Sequence, residues 1–372
     1  MYKPKAVIYP YDNESSFLFK YNDLNMKFDA AVAVAPNGWG LTGKDVGKIS
    51  GSGHIGIKVN NSFEDCYGGS DSIIIADSNM ELNFDIIYDN IANEVKKGKN
   101  VICMKRLEEE HYQSLYDICR SNGTAFEYLK GDDRMIAAGV YDETLLDIKS
   151  PVIFVAGVTR RTGKFDLQLA LRKEMLEAGY KVSQIGTKNF CEIFGFHSFP
   201  DFMYSSTMNE ATKIIMFNRF VKAVESSEKP DVIIIGIPGG VMPINKQFTD
   251  GFGVLAFLAA QAVKPDAAIL SVLYEDYLPE YFREIDNFCK YRFGYNVDCF
   301  NLSNIKFDYQ QSGDSGKKCY SVIDSSFINE KAEKCSSCGK PVYNLLNSID
   351  MKNMSTHIIN LLSGDENIKD II

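Results

Sequence analysis

The sequence predicts an α/β protein: an N-terminal Rossmann-like domain, a second parallel-sheet domain built around a phosphate-binding loop, and a small C-terminal appendage. Three observations carry this prediction. Short β-branched and apolar runs alternate with segments of helical period along most of the chain, as strands buried on both faces and joined by helical crossovers require. At 372 residues the chain is too long for one core. The stretch Pro151 to Leu171, PVIFVAGVTRRTGKFDLQLAL, joins an uncharged β-rich run to a helical one through a glycine-bearing loop.

The first domain is expected over residues 1–149. Strands fall at 6–10, 30–35, 73–76 and 101–104, and helices at 83–97 and 108–121, with no G-x-G-x-x-G fingerprint. Residues 36–56, PNGWGLTGKDVGKISGSGHIG, hold seven glycines and the single tryptophan, so they read as a long loop. There Lys44 and Asp45 place a cation and a carboxylate where a ligand could meet them. Asp77, Ser78 and Asn79 follow a strand end, the edge at which open α/β sheets bind ligands.

The second domain is expected over residues 150–304 and opens with the strand 152–156. Leu167, Leu171, Met175 and Leu176 then recur at helical spacing, with Arg172, Lys173, Glu174 and Glu177 opposite. Between them, Gly157, Thr159, Arg160, Arg161, Thr162, Gly163, Lys164 and Phe165 form the candidate cofactor-binding loop. Such a turn aims backbone N–H groups and a helix N-terminus at one point, and Lys164 adds a charge. Two departures from G-x-x-x-x-G-K-[ST] stand out. Five residues separate the glycines instead of four. Phe165 replaces the hydroxyl residue that holds Mg²⁺, which leaves phosphate binding intact and puts metal-assisted transfer in doubt.

Strands are expected next at 181–186, 230–236, 265–273 and 297–302, with helices at 209–225 and 251–263. The strand 230–236 ends in Gly236 where a metal-side carboxylate belongs, and Gly239 and Gly240 continue the turn toward the cofactor. Glu275 and Asp276, at the next strand end, are the candidate catalytic carboxylates beside Lys164. Asn301 sits in position for an adenine-side contact. Right-handed crossovers would make these strands parallel and bring Lys164, Gly239 and Glu275 to one sheet edge. Residues 305–372 read as a hairpin and a terminal helix.

Composition narrows the classes further. A net charge of −9 offers no basic surface for nucleic acid. No apolar run is long enough to span a bilayer and the N-terminus lacks a signal-peptide shape, so the chain reads as cytoplasmic, with no membrane partner. Nine cysteines scattered through periodic segments read as reduced thiols. Only Cys335 and Cys338 form a C-x-x-C. With Cys319 and Cys299 as the nearest extras and no close histidine, it reads as an unliganded loop, so no metal site is assigned.

The runs GVTRRTGK, IGTKNFCEIFGF, IIIGIPGGVMP and KPDAAILSVLYED resemble, in order and spacing, P-loop proteins of the D-glutamate N-acetyltransferase-like group. The loop spacing and the turn of Gly239, Gly240 and Pro243 are similar to those of dethiobiotin-synthetase-like proteins. AVIYPYD, FNRFVKAVE, IIIGIPGGVMPIN and YEDYLPEYF resemble the clostridial "peptide maturation system" proteins encoded with ribosomally made peptides. The resemblance implies a P-loop NTPase-like second domain and a role in peptide maturation. Three readings follow. The first is ATP-dependent activation and transfer on a precursor peptide or amino acid, with the role of Mg²⁺ left open. The second is N-acyl transfer from acyl-CoA, with His197 or Glu275 as base. The third is a non-catalytic partner that presents a peptide, with the chain as a homodimer.

Overall fold

The computed structural model describes residues 3–64, 69–130, 143–335 and 339–364. By internal contacts the chain divides into a first unit, Met1–Lys130 with Glu192–Gly195, and a second, Gly131–Cys191 with Phe196–Ile372.

The first unit holds strands β1 (Lys5–Tyr9), β2 (Asp29–Val34), β3 (Val59–Asn60), β4 (Ser72–Ile75), β5 (Asn100–Cys103) and β6 (Phe126–Tyr128). They form one sheet in the order β3-β2-β1-β4-β5-β6, with every pairing parallel. This is the doubly wound order of Rossmann-like domains. One-turn helices α1 (Phe17–Lys20) and α2 (Val46–Ile49) precede α3 (Phe84–Val95) and α4 (Glu109–Ser121). Val7, Ile73, Ile75, Val101 and Cys103 of the sheet pack with Ile87, Ile91 and Val95 of α3 and with Leu115 and Cys119 of α4. The expected strands and helices of this unit are present. The short edge strands β3 and β6 were not expected, because two or three residues carry too little alternation to read.

In the second unit the strands are β7 (Val152–Gly157), β8 (Val182–Gly186), β9 (His197–Ser198), β10 (Val232–Gly236), β11 (Ala267–Val272), β12 (Cys299–Leu302), β13 (Ile305–Phe307), β14 (Tyr320–Val322) and β15 (Val342–Tyr343). Seven of them form a fully parallel sheet, β15-β12-β11-β7-β10-β8-β9, while β13 and β14 make an antiparallel hairpin. The helices are α5 (Lys164–Glu177), α6 (Glu210–Glu228), α7 (Val254–Ala262), α8 (Pro279–Phe293), α9 (Tyr309–Ser315), α10 (Ser325–Cys335) and α11 (Ser348–Ser363). Phe154, Ile233, Ile235, Leu270 and Phe300 are buried in the core with Phe217, Phe220 and Val221 of α6.

Two boundaries and one burial pattern differ from the sequence reading. The contact division falls at Lys130, because residues 146–150 are fastened within the second unit. Asn218 of α6 accepts from Leu146 N, and Glu225 accepts from Lys149 N and Ser150 N. The C-terminal segment contains the hairpin and helix, yet it also completes the main sheet, since β15 pairs with β12. Helix α5 buries Leu167, Leu171 and Met175 as expected but leaves Leu176 39% exposed and buries Leu169 and Ala170 instead. Its other side is covered by α11, so its burial follows two contacts and not one stripe.

Candidate phosphate-loop site

Because β7, β10, β11 and β12 run parallel, the segments that follow them open on one edge of the sheet. Strand β7 is buried along its whole length and delivers Gly157 to that edge. The chain then turns through Arg161 (φ 58°) and Gly163 (φ 69°), both left-handed, and α5 starts at Lys164. A Cβ on Gly157 would lie 2.2 Å from Thr162 Oγ1 and 3.3 Å from Lys164 Nζ. Glycine is therefore what lets the hydroxyl and the ammonium fold over the strand end.

The turn after β10 closes onto this loop. Ile237 N donates to Val155 O at 2.9 Å, and Val241 N to Gly157 O at 3.0 Å. Gly240 approaches so closely that a Cβ there would sit 2.6 Å from Thr159 Cα. Lys164, only 7% exposed, donates from Nζ to Thr159 O (3.1 Å) and to Gly239 O (2.5 Å). Gly157, Thr159, Thr162, Lys164, Gly239 and Gly240 are thus brought together. Thr162 Oγ1 is buried in the same hollow with no hydrogen-bond partner. Arg161 instead lays its guanidinium over the Tyr320 ring, 5.3 Å from the centroid.

The loop is buttressed from behind. Ser271 Oγ of β11 donates to Thr162 O (2.5 Å), and Asn301 Nδ2 of β12 donates to Ser271 Oγ (2.7 Å). Asn301 Oδ1 accepts from Leu345 N at 3.1 Å. Asn301, expected as a cofactor contact, is fully buried with both ends of its amide bonded. It supports the loop. A second support, Asp250, was not foreseen. Its buried carboxylate accepts from Arg160 N at 2.7 Å and is paired with Lys318. Asp250, Gly251, Phe252 and Gly253 all take left-handed φ of 48°, 74°, 55° and 73°. The helix expected from Gly251 therefore starts only at Val254, and the reach of Asp250 to Arg160 is not legible in sequence.

The metal side is filled by other groups. Phe165 is buried and meets the Phe190 ring edge-on, 6.0 Å between centroids. At Gly236 a Cβ would fall 2.1 Å from Gln168 Oε1, so the Gln168 amide takes the space into which a strand-end carboxylate would project. Gln168 is fully buried and donates from Nε2 to Lys164 O at 2.9 Å, while its Oε1 has no partner. The loop thus fits a phosphate through Lys164 and Thr162, but the residues at the two usual metal-side places do not fit Mg²⁺. No group of three or more His, Cys, Asp or Glu suited to a metal occurs among the described residues. Of the C-x-x-C, Cys335 is buried in the core and Cys338 lies outside the described residues.

The carboxylates after β11 part company. Glu275 is half-buried, with Oε1 shielded from water and unbonded. Burial raises its carboxyl above the usual range despite Lys306 and Lys331 nearby. Tyr277 and Tyr281, stacked with centroids 4.3 Å apart, and Tyr309 feel its charge. Asp276 is fully exposed and bonded to Lys331, which holds its carboxyl below the usual range. Asp276, expected as a catalytic carboxylate with Glu275, is thus engaged in a surface ion pair. His197 is likewise committed: its Nε2 lies 2.5 Å from Glu228 Oε1, and Ser183 Oγ donates to the same carboxylate.

No protein-family model matches the chain, and no curated protein does. Among solved structures, a DUF1611 family protein from Anabaena variabilis is similar over 96% of this chain and 100% of its own, with TM-score 0.64 and 12% identity. At that identity the likeness shows the two-unit α/β fold and nothing of the chemistry. Cobyrinic acid a,c-diamide synthase from Mycobacterium smegmatis, solved with ADP and magnesium, covers 60% of this chain and 99% of its own (TM-score 0.36, 10% identity). The MinD cell division protein of Aquifex aeolicus also covers 60% and 99% (TM-score 0.32, 14% identity). Those two superpositions are too loose to carry an argument.

Proposed function

We propose that the second unit binds the phosphates of a nucleotide or nucleotide-bearing coenzyme in the loop from Gly157 to Lys164. The observation that carries this reading is the buried Lys164 ammonium, which donates to the carbonyls of Thr159 and Gly239 beside the buried, unbonded Thr162 hydroxyl. A buried ammonium at a helix N-terminus suits an anion, because charge-assisted hydrogen bonds are about twice as strong as neutral ones. The proposed setting is maturation of a ribosomally made peptide, with a precursor peptide or amino acid as co-substrate.

For the reaction itself, one observation separates the two enzymatic readings. With Phe165 and Gln168 on the metal side, the loop keeps its phosphate grip without the donors for Mg²⁺. A coenzyme held and not cleaved, such as an acyl-CoA, suits that arrangement better than ATP-dependent activation. Glu275, with its raised carboxyl pKa, is the candidate base for the acceptor amine. Calorimetry with ATP, ATP·Mg²⁺ and acetyl-CoA tests both levels. The expected result is binding that Mg²⁺ does not strengthen and that Lys164→Ala weakens more than about tenfold, the loss of one charge-assisted contact. Unchanged affinity in Lys164→Ala would remove the loop from the function. Binding of ATP·Mg²⁺ alone would return the reaction to ATP-dependent transfer.

A further inference from the structure

The glycine-rich segment of the first unit is a built loop with an organiser. Asp45, 7% exposed, accepts from Gly47 N (2.9 Å), Ile55 N (3.0 Å) and Gly56 N (2.7 Å), and His54 Nδ1 lies 3.0 Å away. Gly43 N donates to Val59 O, Val46 N to Ile57 O and Val59 N to Lys44 O, so the segment is cross-tied along its length. Asp45, expected to face a ligand, is largely engaged by the backbone of its own loop.

Lys44, Lys48 and Lys58 line one cavity of about 600 Å³ together with Leu41, Ile49, His54 and Asp45, whose carboxylate is the one acidic group in the wall. All three lysines are exposed, and among the described residues none forms an ion pair or side-chain hydrogen bond. From Pro36 to Asn60 the chain has no acidic residue other than Asp45, although the whole protein carries a net charge of −9. Three ammonium groups face one carboxylate, and that carboxylate already accepts from three backbone N–H groups, so the lysine and aspartate charges of the hollow sum to a positive charge that favours an added anion. The volume lies in the range of small-molecule sites, roughly 300–1,000 Å³. Leu41 and Ile49 give an organic body an apolar surface, and lysine ammoniums act as point charges that tolerate varied anion geometry.

We infer that this cavity binds a small organic anion carrying at least two negative charges, a phosphate ester or a polycarboxylate, at a site separate from the Lys164 loop. The test uses the full chain carrying Lys164→Ala, so that the phosphate loop does not contribute. That protein is titrated with inorganic pyrophosphate and with citrate at low and high NaCl. One site per chain is expected, weakening as salt rises. Single Lys44→Gln, Lys48→Gln and Lys58→Gln changes should each cost about fivefold, the worth of one contact pair in water, and the triple variant should lose binding. Binding of pyrophosphate alone assigns the phosphate class, and of citrate alone the carboxylate class; either supports the site. Because the side chains are exposed, the single variants keep the test readable even if the triple is poorly behaved. No binding of either anion in the Lys164→Ala protein, or a triple variant as tight as its parent, would overturn the inference.

Discussion

The molecule presents lysines from two glycine loops, and the loops are stiffened in opposite ways. In the first unit Asp45 is local: it gathers backbone N–H groups from within eleven positions of itself and leaves Lys44, Lys48 and Lys58 open. In the second, Asp250 comes from 90 positions away to hold Arg160 N, and Lys164 is buried against backbone carbonyls. A local organiser makes a loop that is stable as a piece. A remote one makes the loop depend on the packing of its whole unit.

Breaking the organisers should give the largest effects. Asp250→Ala removes a fully buried acceptor and strands both Arg160 N and Lys318, so about 3 kcal/mol should be lost from the second unit, together with Lys164-dependent ligand binding. Asp45→Ala should cost about 2 kcal/mol, because water can reach part of the freed N–H groups. Its loss should appear as faster amide exchange at Gly47, Ile55 and Gly56, with exchange in β7 unchanged. If Asp250→Ala likewise affected only its own turn, the contrast between local and remote stiffening would fall.

The glycines sharpen the same contrast. Gly240→Ala drives a Cβ to 2.6 Å from the Thr159 backbone, so the phosphate loop must move, at about 1–3 kcal/mol. Gly40 has φ 68° and nothing within 4 Å of its Cβ direction. Gly40→Ala should cost only its left-handed backbone, about 1–2 kcal/mol. Denaturant unfolding of the two variants, with calorimetric titration of each, checks both: ligand affinity should fall for Gly240→Ala alone.

These contrasts also show why some of the site was legible in sequence and some was not. The strand before Gly157 and the helix after Lys164 are read from apolar pattern and period, which depend on neighbours in the chain. The edge strands β3, β6, β9 and β15 are too short to show a period, and they exist because a longer strand offers them a partner. Position at a strand end marked Asn301 and Asp276 as site residues, but it does not say where a side chain points. Asn301 turns to Ser271 and Asp276 to Lys331. Gln168 and Asp250 act only through space, so nothing in their own stretches of sequence reveals them. The unusual Gly236 was the visible trace of Gln168: the strand end is bare because the helix fills it.

The smallest effect separates a carboxylate that builds a loop from one that remains available. Asp45 is buried, which alone would raise its pKa, but the N–H groups of Ile55, Gly56 and Gly47 and the nearby His54 hold it below the ordinary aspartate value of 3.8. Its folded pKa is depressed, so its stabilisation is present above about pH 4 and lost as pH falls through the folded value. Glu275 has the opposite sign. Burial raises its pKa above 4.5, so in the window between 4.5 and the folded value the native state binds more protons than the unfolded one. Stability therefore falls as pH rises through that window. Glu275→Gln keeps the shape and removes the charge. It should raise the melting temperature slightly at pH 7, with the gain shrinking toward pH 4, below both the unfolded and the folded value. Asp45→Asn should lower it at pH 7, and that loss should shrink toward acid pH. A Glu275→Gln gain that is the same at pH 4 and pH 7 would mean that packing and not buried charge sets this position, and Glu275 would lose its claim as the base.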